Sequence, residues 1–73
     1  MTFELLETVV LSRDLPEHGL RAGDVGAVVH VYADAAFEVE FVRASGQTKA
    51  LVALAASDLR PLAANDMLTV RAS

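Results

Sequence analysis

The sequence predicts an all-β fold, a small barrel of about five antiparallel strands with a long first loop and one short helical turn near the C-terminus. Runs of β-branched and aromatic residues recur along the chain, and such residues favour strands. Glycine, aspartate and proline separate these runs, as turns require. With 73 residues and no cysteine, a single domain without disulfides must bury its apolar residues, 53% of the chain, in one core.

The first predicted strand covers residues 8–12, which begin with three β-branched residues. A long polar loop, RDLPEHGLRAGD at residues 13–24, follows it. Leu15 and Leu20 interrupt the polar character of this loop. We expect both leucines to pack inward and to hold the loop against the core.

The loop ends in a turn that leads directly into the next strand. The residues predicted to build this turn are Gly19, Gly23, Asp24 and Gly26. Glycine adopts positive φ without steric cost, and Gly23 and Gly26 should let the backbone pass close to a neighbouring strand. Asp24, like Asp14 earlier in the loop, is suited to accept hydrogen bonds from nearby backbone N–H groups. This segment is therefore interpreted as a corner of the barrel.

A three-stranded meander follows the corner. Residues 25–32, VGAVVHVY, predict the second strand, and residues 37–42, FEVEFV, the third. The third strand alternates cleanly, with its apolar residues on one face and Glu38 and Glu40 on the other, which is typical of a half-buried strand. A fourth strand is predicted at residues 48–54.

The C-terminal part predicts a helical turn and then a weak strand. Ser57 can cap a single helical turn, after which Leu59 and Leu62 return to the core. The elements together fit one SH3-like domain over residues 1–73, with its core in residues 5–62. Residues 63–73 are read as an edge strand, centred on Met67 to Val70, or as a flexible tail.

Charge and composition disfavour several classes of partner. The net charge is −4, and the six basic residues are spread along the chain without a cluster. Nucleic acids and anionic membranes both need a basic footprint, so neither is expected as a partner. The N-terminus lacks the features of a signal peptide, and no apolar stretch approaches membrane-spanning length, so we expect a cytoplasmic protein.

No catalytic, metal-binding or cofactor-binding residue is predicted. His18 and His30 are the two histidines, and their spacing does not force further ligands to converge on them. Glu38 and Glu40 share a strand face and could perform acid–base chemistry only in a buried cleft, whereas the alternation with apolar residues favours a solvated outer surface. The glycine pair of the corner enters a strand rather than a helix, so it is not a phosphate-binding loop. We therefore expect a protein that is not an enzyme and that uses no cofactor.

The candidate binding residues for a protein partner are Asp14, Glu17, His18 and Tyr32. Tyr32 is the single tyrosine and stands at the end of a predicted strand, and SH3-like barrels bind partners near the long first loop and the neighbouring hairpin. In the alternative interpretation, the ring of Tyr32 caps the barrel with its hydroxyl in water. A third use of exposed apolar surface is dimerisation through the strand at Met67 to Val70.

The run LETVVLSRDLPEHGLRAGDVGAVVHVY, followed by FEVEFV, QTKALVAL and DLRP, resembles a family of short bacterial proteins known as domain of unknown function 4926. The family pattern D-T-V-x-L-x-x-D-L-P-x-x-G-L-x-x-G-D-x-G-x-V-V, then Y-E-V-E-F and D-L-R, is followed over residues 5–61. Glu7 stands where the family has aspartate, and Phe37 where it has tyrosine. The resemblance implies an SH3-like barrel and a bacterial origin, without an established activity. Family members are often encoded beside other short proteins, which favours a toxin-linked or immunity role.

The leading hypothesis is a non-enzymatic protein-binding module, either antitoxin- or immunity-like or an accessory subunit of a bacterial complex. The alternatives are a nucleic-acid-binding SH3-like barrel, which predicts salt-sensitive retention on RNA or DNA, and a homo-oligomer of unknown function. An enzyme or ligand-binding protein would instead need a deep polar pocket around His30.

Overall fold

The computed structural model describes residues 3–33, 35–42 and 46–63, apart from the side chain of residue 49. Over these residues the chain forms five antiparallel strands and two short 3-10 turns, which confirms the predicted all-β class. The strands are β1 (Thr8–Leu11), β2 (Val25–Val31), β3 (Ala36–Val42), β4 (Thr48–Ala55) and β5 (Leu59–Pro61). They lie in one sheet in the order β4-β3-β2-β1-β5, curled into an SH3-like half-barrel.

The core lies on the inner face of this curled sheet. The alternation predicted for β3 is confirmed, since Phe37, Val39 and Phe41 are at most 2% exposed and the intervening glutamates are half-buried on the other face. The other four strands, the first loop and the N-terminal segment supply the rest of the buried cluster. Its members are Phe3, Val9, Leu11, Leu15, Leu20, Val28, Val52, Leu54 and Leu59. The ring of Phe3 packs edge-on against Phe37, with 5.5 Å between centroids.

The chain passes from one edge of the sheet to the other through a single turn. β4 ends at Ala55, the 3-10 turn Ala56–Asp58 follows, and β5 begins at once and pairs with β1. Ser57 lies inside this turn rather than capping it, and it is Asp58 whose Oδ2 accepts the N–H of Ala55. The predicted helical turn near the C-terminus is therefore confirmed, with a different capping residue.

The fifth described strand, β5, is one that the sequence did not predict. It covers Leu59–Pro61, immediately after the turn, because Leu59 pairs with Leu11 and buries its side chain in the core. Three residues with a proline give little strand signal in a sequence, and proline is tolerated here because β5 is an edge strand. The edge strand expected at Met67 to Val70 lies outside the described residues.

The long loop follows its prediction closely. Leu15 and Leu20 are buried, and they also form an isolated bridge with each other. Asp14 accepts the N–H of Ala22 at 2.8 Å, and Asp24 accepts the N–H of Arg21 at 2.9 Å. A 3-10 turn at Pro16–His18, which the sequence analysis did not predict, ends at Gly19 in the left-handed region with φ +68°.

The two glycines of the corner serve different purposes. Gly23 has φ +96° and open space around it, so its requirement is conformational rather than a close approach to a neighbour. Gly26 lies within β2 instead of in the turn, and here the expected close approach is confirmed. A Cβ at this position would stand 2.8 Å from Val39 Cγ1 and 2.9 Å from both the Glu40 carbonyl oxygen and Phe41 Cδ1.

Gly26→Ala should destabilise the fold by about 1–3 kcal/mol, the usual cost of forcing an extra carbon into a packed core. Chemical denaturation of the wild type and the variant measures the difference. Because part of the cost comes from contact with the ring of Phe41, the double variant with Phe41→Leu should lose less stability than the two single losses added together. A Gly26→Ala variant as stable as the wild type would contradict this packing.

Candidate functional site

An irregularity in β2 determines which side chains reach the outer face of the sheet. Val28 pairs with Val39, but His30 pairs with Glu38, so two residues of β2 oppose one of β3 between these pairs. Strict alternation from the buried Val28 would point His30 toward the core. The bulge turns His30 outward instead, as bulges do when they re-aim a side chain.

His30, Tyr32 and Glu38 form a cluster on the outer face. The rings of His30 and Tyr32 meet edge to face, with 4.5 Å between centroids. The Tyr32 hydroxyl donates a hydrogen bond of 2.6 Å to Oε1 of Glu38. Tyr32 is itself 41% exposed. The cluster is therefore ordered by its own contacts while its aromatic surface remains available to solvent.

The hydrogen bond to Glu38 raises the pKa of Tyr32 above its ordinary value, since loss of the phenolic proton would remove the bond and place two negative charges together. Desolvation adds to the increase. The hydroxyl thus stays a donor to Glu38 throughout the neutral range.

The outer face continues from this cluster across β3 and β4. Oε2 of Glu40 accepts a hydrogen bond of 2.7 Å from the Thr48 hydroxyl. Glu40 is paired with Leu51, whose side chain is 57% exposed, and Glu38 is paired with the exposed Ala53. We call the set formed by His30, Tyr32, Glu38, Glu40 and Leu51 the outer-face surface.

The surface combines exposed aromatic and aliphatic groups with two carboxylates. Each carboxylate has one oxygen engaged by a neighbouring hydroxyl, and a carboxylate has about four lone-pair sites, so each keeps capacity for a further donor. The basic residues of the sequence that are candidates to pair with these glutamates across strands are Arg43, Lys49 and Arg60. Arg60 lies on β5, two strands beyond β2 in the sheet, while Arg43 and the side chain of Lys49 lie outside the described part.

No hydrogen bond or ring contact among the described residues joins Tyr32 to Asp14, Glu17 or His18. Glu17 and His18 are exposed in the 3-10 turn of the first loop, and Asp14 is engaged with the loop backbone. This loop enters β2 at its first residue, whereas Tyr32 follows its last, so the strand separates Tyr32 from that junction by about 20 Å. Binding of a partner by these residues remains a prediction. The neighbours of Tyr32 that sequence reasoning missed are His30 and Glu38.

A second polar cluster joins β1 to the turn before β5. Arg13 Nε donates to Asp58 Oδ1 at 2.6 Å, and the Ser12 hydroxyl donates to the Ser57 carbonyl at 3.2 Å. The guanidinium of Arg13, helped by the N–H of Ala55, holds the pKa of Asp58 below its usual range. These contacts fix a corner of the fold, and no residue of the outer-face surface takes part in them.

The polar and charged side chains of the described residues are all at least partly exposed to solvent. Within this part of the chain, no polar or charged side chain is buried, and no three histidine, cysteine or acidic side chains gather as metal ligands would. His30 lies exposed on a sheet face. Among the described residues, no helix has the length and apolar character needed to cross a membrane.

Fold and surface together define a small SH3-like module with an acidic and aromatic outer face. The family model described as domain of unknown function (DUF4926) matches residues 5–61, and the chain belongs to this family. The resemblance seen in the sequence is thereby confirmed. Neither a curated protein nor a solved structure matches the chain.

Titration of Tyr32 tests the cluster directly. It is the single tyrosine in a chain without tryptophan, so ultraviolet absorbance reports its ionisation alone. Glu38→Ala should lower the midpoint from its raised value toward the ordinary value of about 10. Glu40→Ala, which removes the neighbouring carboxylate, should leave most of the shift in place. Equal midpoints in the wild type and Glu38→Ala would show that the hydrogen bond does not form.

The ion pair of Asp58 predicts a pH dependence of stability. Because its pKa is lower in the folded state, its contribution is complete above the unfolded value of about 4 and is lost as pH falls through the folded value. Asp58→Asn should therefore be less stable than the wild type at pH 7, with a difference that shrinks below about pH 4.

Urea unfolding between pH 7 and pH 3 measures this difference. Glu4→Gln, at an exposed position, is the control and should show no comparable dependence. A stability difference for Asp58→Asn that stays constant over the whole range would contradict the ion pair.

Proposed function

We propose that this chain is a non-enzymatic protein-binding module and that the outer-face surface is where its partner docks. The observation that carries the proposal is the continuous placement of His30, Tyr32 and Leu51 beside two ordered carboxylates on one sheet face. Tyrosine is enriched in protein interfaces because its rigid ring buries much area at small entropic cost while its hydroxyl keeps a polar partner.

The charge of the surface supports a protein partner with basic side chains. Two glutamates lie in the middle of this face, and the chain as a whole has ten acidic residues against six basic ones. A polyanion would be repelled by such a face, which makes nucleic acid the weaker candidate. A basic protein surface would be attracted to it and oriented by it.

The absence of catalysis is part of the proposal. General acids and bases owe their altered pKa values to burial and to neighbouring charges in a cleft. His30, Glu38 and Glu40 instead lie on an outward sheet face, where their contacts are a ring edge and two hydroxyl groups.

The biological setting of the proposal comes from the family resemblance. An antitoxin- or immunity-like protein, or an accessory subunit of a bacterial complex, acts by holding another protein, which is the task this surface suits. We place that function in the bacterial cytoplasm.

Paired variants test whether the surface captures a partner. Leu51 and Leu5 are exposed to similar extents, 57% and 59%, but Leu5 lies in the N-terminal turn and Leu51 on the outer face. Leu51→Ser should abolish stoichiometric capture of a partner from the lysate of the source organism, whereas Leu5→Ser should retain it. Each variant should keep the wild-type unfolding midpoint within a few degrees, because both side chains are exposed.

Light scattering on the purified protein separates this function from self-association. A monomer that captures a partner through Leu51 supports the proposal. Equal capture by both variants would place the docking surface elsewhere. A stable dimer without a captured partner would favour the homo-oligomer, and salt-sensitive retention on RNA would favour the nucleic-acid-binding barrel.

A further inference from the structure

The two edges of the sheet are protected very differently. β5 has three residues, two of which are Arg60 and Pro61, and short length, charge and proline are the usual means of blunting an edge strand. β4 has eight residues, and the run LVALA that completes it contains neither charge nor proline. The irregularity of β4 lies at its beginning, between the pairs of Phe41 and Val42, so the later part remains regular.

Among the strands that the structure describes, β4 is an open edge. In the sheet formed by the described residues, β3 lies on one side of β4 and no strand lies on the other. Alternate residues of such an edge direct their N–H and C=O groups away from the sheet, where an added strand can pair with them. The outward side chains of β4 leave room for this strand, since Ala53 and Ala55 are small and Leu51 offers an apolar contact.

The register of β3 and β4 specifies what an added strand should carry. Glu38 lies opposite Ala53, and its carboxylate is held in place by the Tyr32 hydroxyl. With strands about 4.8 Å apart, a residue added beside Ala53 would lie about 10 Å from Glu38 between Cα atoms. A long basic side chain can cross the methyl group of Ala53 and meet the carboxylate. Two residues along, the outward neighbour would contact Leu51.

We propose that the partner binds by adding a strand to the open edge of β4, with an arginine or lysine beside Ala53 and an aliphatic residue beside Leu51. This inference rests on the proposed function and specifies its partner as a basic, strand-forming protein segment. Main-chain hydrogen bonds supply the pairing, and alternate side chains supply the specificity.

Charge favours such a segment over a second copy of the chain. Two β4 strands paired antiparallel with Ala53 opposite Ala53 would place only leucine and alanine side chains from positions 51, 53 and 55 beside each other. The copy would bring no cation to Glu38 from those positions, and it would add a second acidic face. A basic segment would instead neutralise the carboxylate of Glu38, which the hydrogen bond from Tyr32 holds in place.

The test is a nuclear magnetic resonance titration of the full-length, ¹⁵N-labelled protein with a synthetic peptide, KTVRVLVTK, in which arginine and leucine stand two positions apart. The control peptide, KTVEVLVTK, replaces that arginine with glutamate. We expect amide shifts concentrated at residues 50–55 and an affinity at least tenfold higher for the arginine peptide. Ala53→Arg, which supplies its own cation to Glu38, should abolish binding, and Glu38→Gln should weaken it several-fold. Glu4→Gln, at an exposed position near the N-terminus, should change nothing.

Three outcomes of the titration would overturn the inference: no binding of the arginine peptide, equal binding of both peptides, or shifts centred away from β4. Protection of the β4 edge by a second copy or by residues 64–73 would also overturn it. If the peptide fails while Leu51→Ser still abolishes capture of the partner, strand addition is wrong and the protein-binding function stands. If the peptide does not bind and Leu51→Ser still captures the partner, the outer-face surface is not the docking site.

Discussion

The close contact over Gly26 is the constraint on which the rest of the fold depends. Gly26 pairs with Val9 on one side and Phe41 on the other, at the centre of the sheet. Side chains of Val39 and Phe41 occupy the space that a Cβ would fill. A small barrel must alternate large and small residues on its inner face, because a short curled sheet encloses too little volume for a side chain at every inward position. Because Gly26 has no side chain, the phenylalanines of β3 have room to pack into the core.

The bulge that follows in the same strand links this packing to the surface. Gly26 and Val28 face the core, and regular alternation would have sent His30 and Tyr32 there as well. One extra residue reverses the alternation and delivers both rings to the outer face beside Glu38. The same strand thus seals the core with its first half and builds the candidate docking surface with its second half.

The sequence predicts the fold well wherever residue type alone decides the structure. β3 alternates strictly, and its faces are as expected. The loop leucines are buried, and the loop aspartates bind backbone N–H groups, because these side chains have few other options in such a loop. Even the close approach at Gly26 follows from a glycine within a run of β-branched residues.

The candidate site was harder to predict, because it depends on register rather than on composition. The pattern VGAVVHVY does not reveal the bulge, because valines stand on both sides of the register shift between Val28 and His30. Regular alternation would therefore place His30 and Tyr32 on the inner face of the sheet and Glu38 on the outer face. The short strand β5 was not predicted for a similar reason, since it forms by pairing with β1 and depends only weakly on its own three residues.

Strand addition requires that the edge of β4 is unpaired in the free protein. Amide hydrogen exchange, resolved by residue, tests it most directly, because an amide that pairs with β3 is protected and an outward amide is not. With an open edge, fast and slow exchange should alternate along residues 50–55 while the amides of β3 are protected throughout. Uniform protection of β4 in the monomeric protein would contradict it, because something would already cover that edge.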